Sequence, residues 1–151
     1  MLNKIKEILA NIESSMDSED FDHECVGLAS GVNCCYFKLN DKFGLKVFPN
    51  YNLSSFSFEE NKRAALDGYG TFIYDTFTSK RCTGVLVEHV MLIRHHPLFK
   101  TEYEKLYSIM GDFESKLGDM FCSNMPAWLK DIHSGNVGFR GDKMVCLDFS
   151  S

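Results

Sequence analysis

Apolar residues recur with helical spacing at the start of the chain and again in its second half. Residues 1–16 carry one apolar stripe with lysines and glutamates elsewhere, which predicts an amphipathic helix. Thr101–Phe121 repeats this spacing, and Phe58–Leu66 is rich in helix formers and is followed by Gly68 and Gly70. We therefore predict three helices. The stripe of the first helix would pack on its own domain or on a partner.

Between these helices the pattern changes to short apolar runs bounded by turn residues, which are typical of strands. The order of elements is helix, three strands, helix, two strands, long helix, loop and hairpin. This order predicts an α+β fold with a mostly antiparallel N-terminal sheet. The predicted strands are Cys25–Leu28, Asn33–Leu39, Phe43–Phe48, Thr71–Phe77, Gly84–Leu92, and a final hairpin of Val137–Phe139 and Met144–Asp148.

Composition narrows the class of partner. The chain has 151 residues and a net charge of −5, and no run of lysine or arginine forms a basic patch. Nucleic acid and anionic membrane are therefore poor partners, and no apolar stretch approaches the length of a membrane span. The N-terminus does not have the pattern of a signal peptide, and the six cysteines contain no CxxC pair. We expect reduced thiols and a cytoplasmic location.

The chemistry is concentrated near the end of the sequence. DIHSGN covers residues 131–136, and Asp148 follows after a short apolar run, MVCL. An Asp, an Asn five residues later and an Asp after an apolar strand are how a phosphotransfer site arranges its base and its metal ligands. Asp131 is the candidate base. Asn136 and Asp148 are candidate magnesium ligands, because oxygen atoms suit this hard cation.

The DIHSGN run followed by CLDF resembles the protein kinase-like superfamily. It is more similar to the aminoglycoside-phosphotransferase and atypical branch than to eukaryotic protein kinases, and it resembles small kinase-like proteins of bacteriophages. The resemblance covers about residues 25–150. It implies a kinase-like N-lobe with an antiparallel sheet at 21–93 and a C-lobe at 94–151. The N-terminal amphipathic helix, which is predicted from its periodicity, forms a separate segment at 1–20 before them. Because the sequence ends three residues after Asp148, we expect this C-lobe to be truncated and minimal.

The resemblance also implies how ATP would be held. Gly27, Ser30 and Gly31, within the run GLASG, would cover the phosphates, although a full G-x-G-x-x-G is absent. Lys46, within FGLKVF, would hold the α- and β-phosphates.

A helical glutamate and a hinge complete the implied site. Glu59 or Glu60 would pair with the phosphate-binding lysine, and Glu59 is slightly preferred. The run GVLVEHVML would supply the hinge, with Val87 in the gatekeeper position. Backbone groups of Glu88 and Val90 would then hold the adenine.

Each feature has a plainer explanation when it is taken alone. Asp and Asn favour turns because they bond to nearby backbone, so the DIHSGN run could be a capped loop. Lys46 could be an ordinary strand lysine, and Glu59 and Glu60 suit the N-terminus of any helix. The joint occurrence in the right order favours the kinase-like interpretation.

Two functions follow from this interpretation. The first is an ATP- and Mg²⁺-dependent phosphotransferase whose acceptor is a protein Ser/Thr or a small-molecule hydroxyl. The second is a catalytically weak, pseudokinase-like protein that docks onto a host macromolecule and inhibits or modulates it, which a phage origin and a location in the host cytoplasm would suit. Either function implies a nucleotide ligand and a protein partner or substrate. A homodimer formed through the N-terminal stripe is also possible.

Overall fold

The computed structural model describes residues 1–16, 29–30, 34–122, 124, 132 and 136–147. The chain divides into two compact units, one formed by Met1–Phe56 and Phe72–His89 and the other by Ser57–Thr71 and Val90–Ser151. Within the described residues there are three α-helices and two antiparallel sheets, so the protein is α+β as predicted. Neither unit is continuous in sequence, unlike the predicted division at residues 20/21 and 93/94.

The first unit is a five-stranded sheet with one helix. Its strands are in the order β1-β2-β3-β5-β4, and every neighbouring pair is antiparallel. A 3₁₀ helix, Asn50–Ser55, follows the third strand. The other elements are α1 (Leu2–Ser15), β1 (Ala29–Ser30), β2 (Cys35–Lys38), β3 (Phe43–Pro49), β4 (Ile73–Thr78) and β5 (Cys82–Glu88).

The apolar stripe of α1 packs on this sheet, as one of the two sequence alternatives proposed. Ile5, Leu9 and Ile12 recur at helical spacing and are all buried. They contact alternate residues of β3, Leu45 and Val47, in one hydrophobic cluster. Since successive side chains of a strand point to opposite faces, this packing decides which residues of β3 face away from α1.

The second unit combines two helices with a three-stranded sheet in the order β6-β7-β8. Two 3₁₀ segments, Ile93–His95 and Pro97–Phe99, precede the long helix. The remaining elements are α2 (Phe58–Leu66), β6 (Met91–Leu92), α3 (Tyr103–Phe121), β7 (Val137–Arg140) and β8 (Lys143–Cys146).

The ends of α2 follow from its sequence. Ser57 is the N-cap, and its hydroxyl accepts a hydrogen bond from the Glu60 N–H at 3.4 Å. The helix stops before Gly68, which has a φ of +89°. Glycine adopts this conformation without steric cost, so the predicted glycine stop is confirmed.

One predicted strand is divided in the structure. The apolar run Gly84–Leu92 is divided into β5 and β6, which belong to different sheets. The division occurs where the His89 N–H donates to the Lys42 carbonyl, at 2.9 Å, beyond the last paired residue of β5. The predicted strand Cys25–Leu28 lies outside the described residues.

The prediction of six reduced cysteines is wrong for Cys35, which is disulfide-bonded. Cys34, Cys82, Cys122 and Cys146 are free thiols. Sequence spacing gave no indication of this bond, because cysteine pairing depends on which residues become neighbours in the folded chain. Among the described residues, none of the helices is both long and apolar enough to pass through a bilayer.

A single carboxylate ties the end of α1 to the turn between β4 and β5. Glu13 Oε1 accepts hydrogen bonds from the Ser79 hydroxyl and the Arg81 N–H, both at 2.6 Å, and from the Cys82 N–H at 3.2 Å. The hydrogen bond from Ser79 is the main cause of a lowered pKa at Glu13, against the opposing effect of burial. Burial, reinforced by the Glu13 charge, raises the pKa of the Cys82 thiol to about 12.

We predict that Glu13→Ala destabilises the protein by about 2 kcal/mol at neutral pH, because three donors lose a charged acceptor. The folded-state pKa of Glu13 is below the ordinary value of 4.5. The stabilisation is therefore fully present above pH 4.5 and is lost as the pH falls through the lower folded-state value. Thermal unfolding from pH 7 to pH 3 measures it.

The matched control is Glu7→Ala, which removes an exposed carboxylate from the same helix. We expect it to change the melting temperature little at any pH. Equal destabilisation by the two variants would contradict the anchoring role of Glu13.

Candidate functional site

Lys46 lies on the face of the first sheet opposite to α1. Its neighbours in register are Tyr36 on β2 and Val85 on β5. The lysine is only 8% exposed, and its Nζ lies 5.6 Å from the centroid of the Phe56 ring. The aromatic face attracts the cation, and burial strengthens its interaction with any charged group. Lys46 is therefore not an ordinary solvent-exposed strand lysine.

Of the predicted phosphate-covering residues, only Ser30 is described, and only in its backbone. It ends β1 and pairs with Cys35 of β2, so it lies where the chain leaves the first strand of an antiparallel pair. This is the position that a turn between the first two strands requires. Gly27 and Gly31 lie outside the described residues.

Glu59 and Glu60 occupy the first turn of α2, in the second unit. Glu59 is exposed, whereas Glu60 is half-buried and adds to the electrostatic environment of Tyr69. Both carboxylates complement the positive end of the helix dipole.

The predicted hinge begins at the end of β5. The Glu88 N–H donates to the Phe72 carbonyl at 2.8 Å, and Glu88 Oε1 accepts from the Phe72 N–H at 3.2 Å. The backbone N–H of Glu88 is thus already used within the first unit. Val90, two residues later, is buried in the second unit with Val145 and Leu147.

Asn136 is buried at the base of the β7–β8 hairpin. Its carbonyl accepts a hydrogen bond from the Leu147 N–H at 2.8 Å, one step beyond the pairing of Val137 with Cys146. The two ends of the hairpin are therefore held side by side. Leu147 immediately precedes Asp148 in the sequence.

Asp131 and Asp148 themselves lie outside the described residues. In the part of the chain that is described, no group of three or more His, Cys, Asp or Glu side chains is arranged to hold a metal ion. Of the two predicted magnesium ligands, Asn136 and Asp148, the structure thus describes only Asn136.

The last residues of the predicted hinge run, Val90–Leu92, are packed against the β7–β8 hairpin in the second unit. β6 pairs with β7, with Leu92 opposite Gly138. A Cβ atom built on Gly138 would lie 2.5 Å from the Met91 carbonyl oxygen and 2.9 Å from Val90 Cγ2. Gly138 is therefore what allows Val90 and Met91 to approach the hairpin closely.

Sequence reasoning missed two residues of the Lys46 face. The Tyr36 hydroxyl is hydrogen-bonded to His89 Nδ1, and the two rings are stacked with centroids 5.9 Å apart. Tyr36 could have been placed on this face from the alternation of the predicted second strand. Its partner could not, because the contact joins residues 53 apart in sequence.

Comparisons of the chain with protein-family models, with curated proteins and with solved structures found no match.

We predict that Gly138→Ala destabilises the protein by about 1–3 kcal/mol, the usual cost of adding a methylene to a packed site. The added Cβ would press on the Met91 backbone, which cannot move without breaking the pairing of β6 with β7. Urea unfolding followed by circular dichroism measures the change.

Gly111→Ala is the control, since a Cβ on this α3 glycine meets no atom within 4 Å. It should stabilise the protein by about 0.5–1 kcal/mol through helix propensity. A stable Gly138→Ala variant would show that the close approach of Val90 and Met91 is not required.

Proposed function

We propose that this protein binds ATP with Mg²⁺ and transfers the γ-phosphoryl group to a hydroxyl acceptor, as a kinase-like phosphotransferase. The observation that carries the proposal is the hydrogen bond from the Leu147 N–H to the Asn136 carbonyl. Because Asp148 follows Leu147 in the sequence, we infer that this bond would hold the two proposed oxygen ligands, Asn136 and Asp148, at one end of the hairpin. An amide oxygen and a carboxylate are suitable ligands for Mg²⁺.

Lys46 would hold the α- and β-phosphates. Its burial and its place beside an aromatic ring support this role, because a partly desolvated ammonium group attracts phosphate more strongly than an exposed one. Glu60 is the better candidate for its carboxylate partner, since it is half-buried whereas Glu59 is exposed. This choice reverses the slight preference for Glu59 from the sequence.

The adenine would lie against the segment from Glu88 to Val90. The Glu88 N–H already donates to Phe72, so it would not contribute to this binding. Ser30, with Gly27 and Gly31, would cover the phosphates at the β1–β2 connection.

Asp131 would orient the acceptor hydroxyl and receive its proton. The acceptor oxygen would form a bond to the γ-phosphorus while the bond to the β–γ bridging oxygen breaks, so that ADP leaves. Asn136 and Asp148 would hold the Mg²⁺ that offsets the charge developing on the leaving oxygen.

We predict that Lys46→Met lowers phosphoryl transfer by about 100-fold or more, the usual effect of removing one preorganised electrostatic contact from a transition state. The assay incubates the protein with [γ-³²P]ATP, Mg²⁺ and lysate proteins, and measures labelled protein and released phosphate. Lys42→Met, at an exposed lysine just before β3, is the control and should keep wild-type transfer. Equal activity of Lys46→Met and wild type would exclude the phosphate-binding role.

We predict that Asp148→Asn raises the Mg²⁺ concentration needed for ATP binding by about 10-fold or more, because a carboxylate ligand becomes neutral. Calorimetric titration of ATP at several Mg²⁺ concentrations measures this. Asp142→Asn removes an exposed carboxylate from the turn of the same hairpin and should leave the Mg²⁺ requirement unchanged.

The two assays together separate the two functions derived from the sequence. ATP binding that depends on Asp148, without transfer to any acceptor, would favour the pseudokinase-like protein that acts on a macromolecular partner. Absence of both binding and transfer would contradict both functions.

A further inference from the structure

Tyr36 covers part of the sheet face that carries Lys46. The two residues are paired in register and therefore share a face. The tyrosine side chain runs along β3 toward Gly44 and reaches His89, to which its hydroxyl is hydrogen-bonded. The Tyr36 and His89 rings are inclined by only 25° to each other, so they form one stacked layer.

Gly44 is what gives the tyrosine this space. A Cβ atom built at position 44 would overlap the Tyr36 hydroxyl and would lie 2.7 Å from its Cε2. Any other residue at position 44 would push the ring away from β3. The Tyr36 ring therefore fills the space that a side chain at position 44 would otherwise occupy.

The strand register shows what this ring covers. Lys46 is opposite Val85, Gly44 is opposite Val87, and Phe43 is opposite Glu88. On the Lys46 face, the pair of Gly44 and Val87 thus lies between the lysine and the end of β5 at Glu88. The Tyr36 ring rests over this intermediate position.

Local chemistry favours the contact between Tyr36 and His89. Burial raises the pKa of Tyr36 far above its ordinary value, so the phenol stays neutral and can donate. Burial, with a contribution from Lys38, lowers the pKa of His89, against the opposing effect of Asp41. A neutral imidazole leaves Nδ1 able to accept the phenolic hydrogen.

We propose that Tyr36 is a gate that a nucleotide must displace before it can extend from Glu88 to Lys46. This inference rests on the proposed function, because it takes Glu88 and Lys46 as the two ends of the bound nucleotide. In the conformation described here the ring occupies the path between them. Binding then requires the Tyr36–His89 hydrogen bond to break and the ring to rotate, which lowers the apparent affinity by the fraction of molecules that are open.

The first test is Tyr36→Phe, which removes the hydrogen bond to His89 and keeps the ring. Its affinity for fluorescent mant-ATP with Mg²⁺ should rise by about five-fold, which is what a hydrogen bond of ordinary net strength corresponds to. Tyr51→Phe is the matched control, since Tyr51 belongs to the same unit and is 74% exposed. Its affinity should equal that of the wild type.

The second test opens the gate without altering the tyrosine. Gly44→Ala would displace the Tyr36 ring, the flexible end of a side chain, and would leave the backbone of β3 in place. This variant should also bind mant-ATP more tightly. NMR titration of the His89 imidazole should show its pKa returning toward 6.5 as the ring moves away.

Each outcome has one meaning. Tighter binding by both variants supports the gate. If the wild type binds while Tyr36→Phe and Gly44→Ala bind equally well or more weakly, the gate is overturned and the proposed function stands. Weaker binding would mean that the Tyr36 ring supports the adenine of the nucleotide. If the wild type and all variants fail to bind, the proposed function fails and the gate fails with it.

Discussion

The alternation of side chains along β3 is the constraint on which the structure depends most. Leu45 and Val47 face α1, because they share one buried hydrophobic cluster with Ile5, Leu9 and Ile12. Lys46 lies between them and is therefore directed to the opposite face. A shift of one residue in register would place a charged side chain against α1 and expose two apolar ones, so the packing of the helix fixes the position of the lysine.

In the second unit, local packing likewise fixes the position of a candidate site residue, Asn136. The β7–β8 hairpin is short, and its base is closed by the backbone bond between Asn136 and Leu147. Val145 and Leu147 anchor it against Val90, while Gly138 admits the neighbouring strand β6. Asn136, at the closed end of this hairpin, therefore has little freedom to move, as a metal ligand requires. Local packing and the proposed chemistry thus depend on the same few residues.

Much of this architecture could be predicted from the pattern of apolar residues. The helices around Ile5, Ala64 and Leu117, the strand containing Lys46 and the final hairpin all have strong periodicity or clear turn residues. The break after Glu88 could not be predicted, because the apolar run continues through it and only the pairing of separate sheets divides it. The disulfide at Cys35 was missed because cysteine spacing along the sequence does not show which residues become neighbours in the folded chain.

The candidate site, too, could be predicted only in part from the sequence. Residue types and order identified Lys46 and Asn136 as chemically suitable, and the structure gives both a buried setting. The proposed choice of Glu60 over Glu59 as the partner of Lys46 rests on the exposure of the two side chains. The sequence of the first helical turn does not indicate this exposure. The Tyr36–His89 contact required knowledge of tertiary structure, because Tyr36 lies on β2 whereas His89 follows the end of β5, and the two meet only when β2, β3 and β5 are aligned.

The most direct test of the central claim is to locate one bound metal–nucleotide complex relative to both sets of residues. Mn²⁺ replaces Mg²⁺ with a non-hydrolysable ATP analogue, and paramagnetic broadening is measured across the amide NMR spectrum. We predict the strongest broadening at Asn136 and Leu147, clear broadening at Lys46, and the weakest at Leu9 of α1. Strongest broadening at α1, or a spectrum in which Lys46 or Asn136 is as little affected as Leu9, would contradict the account.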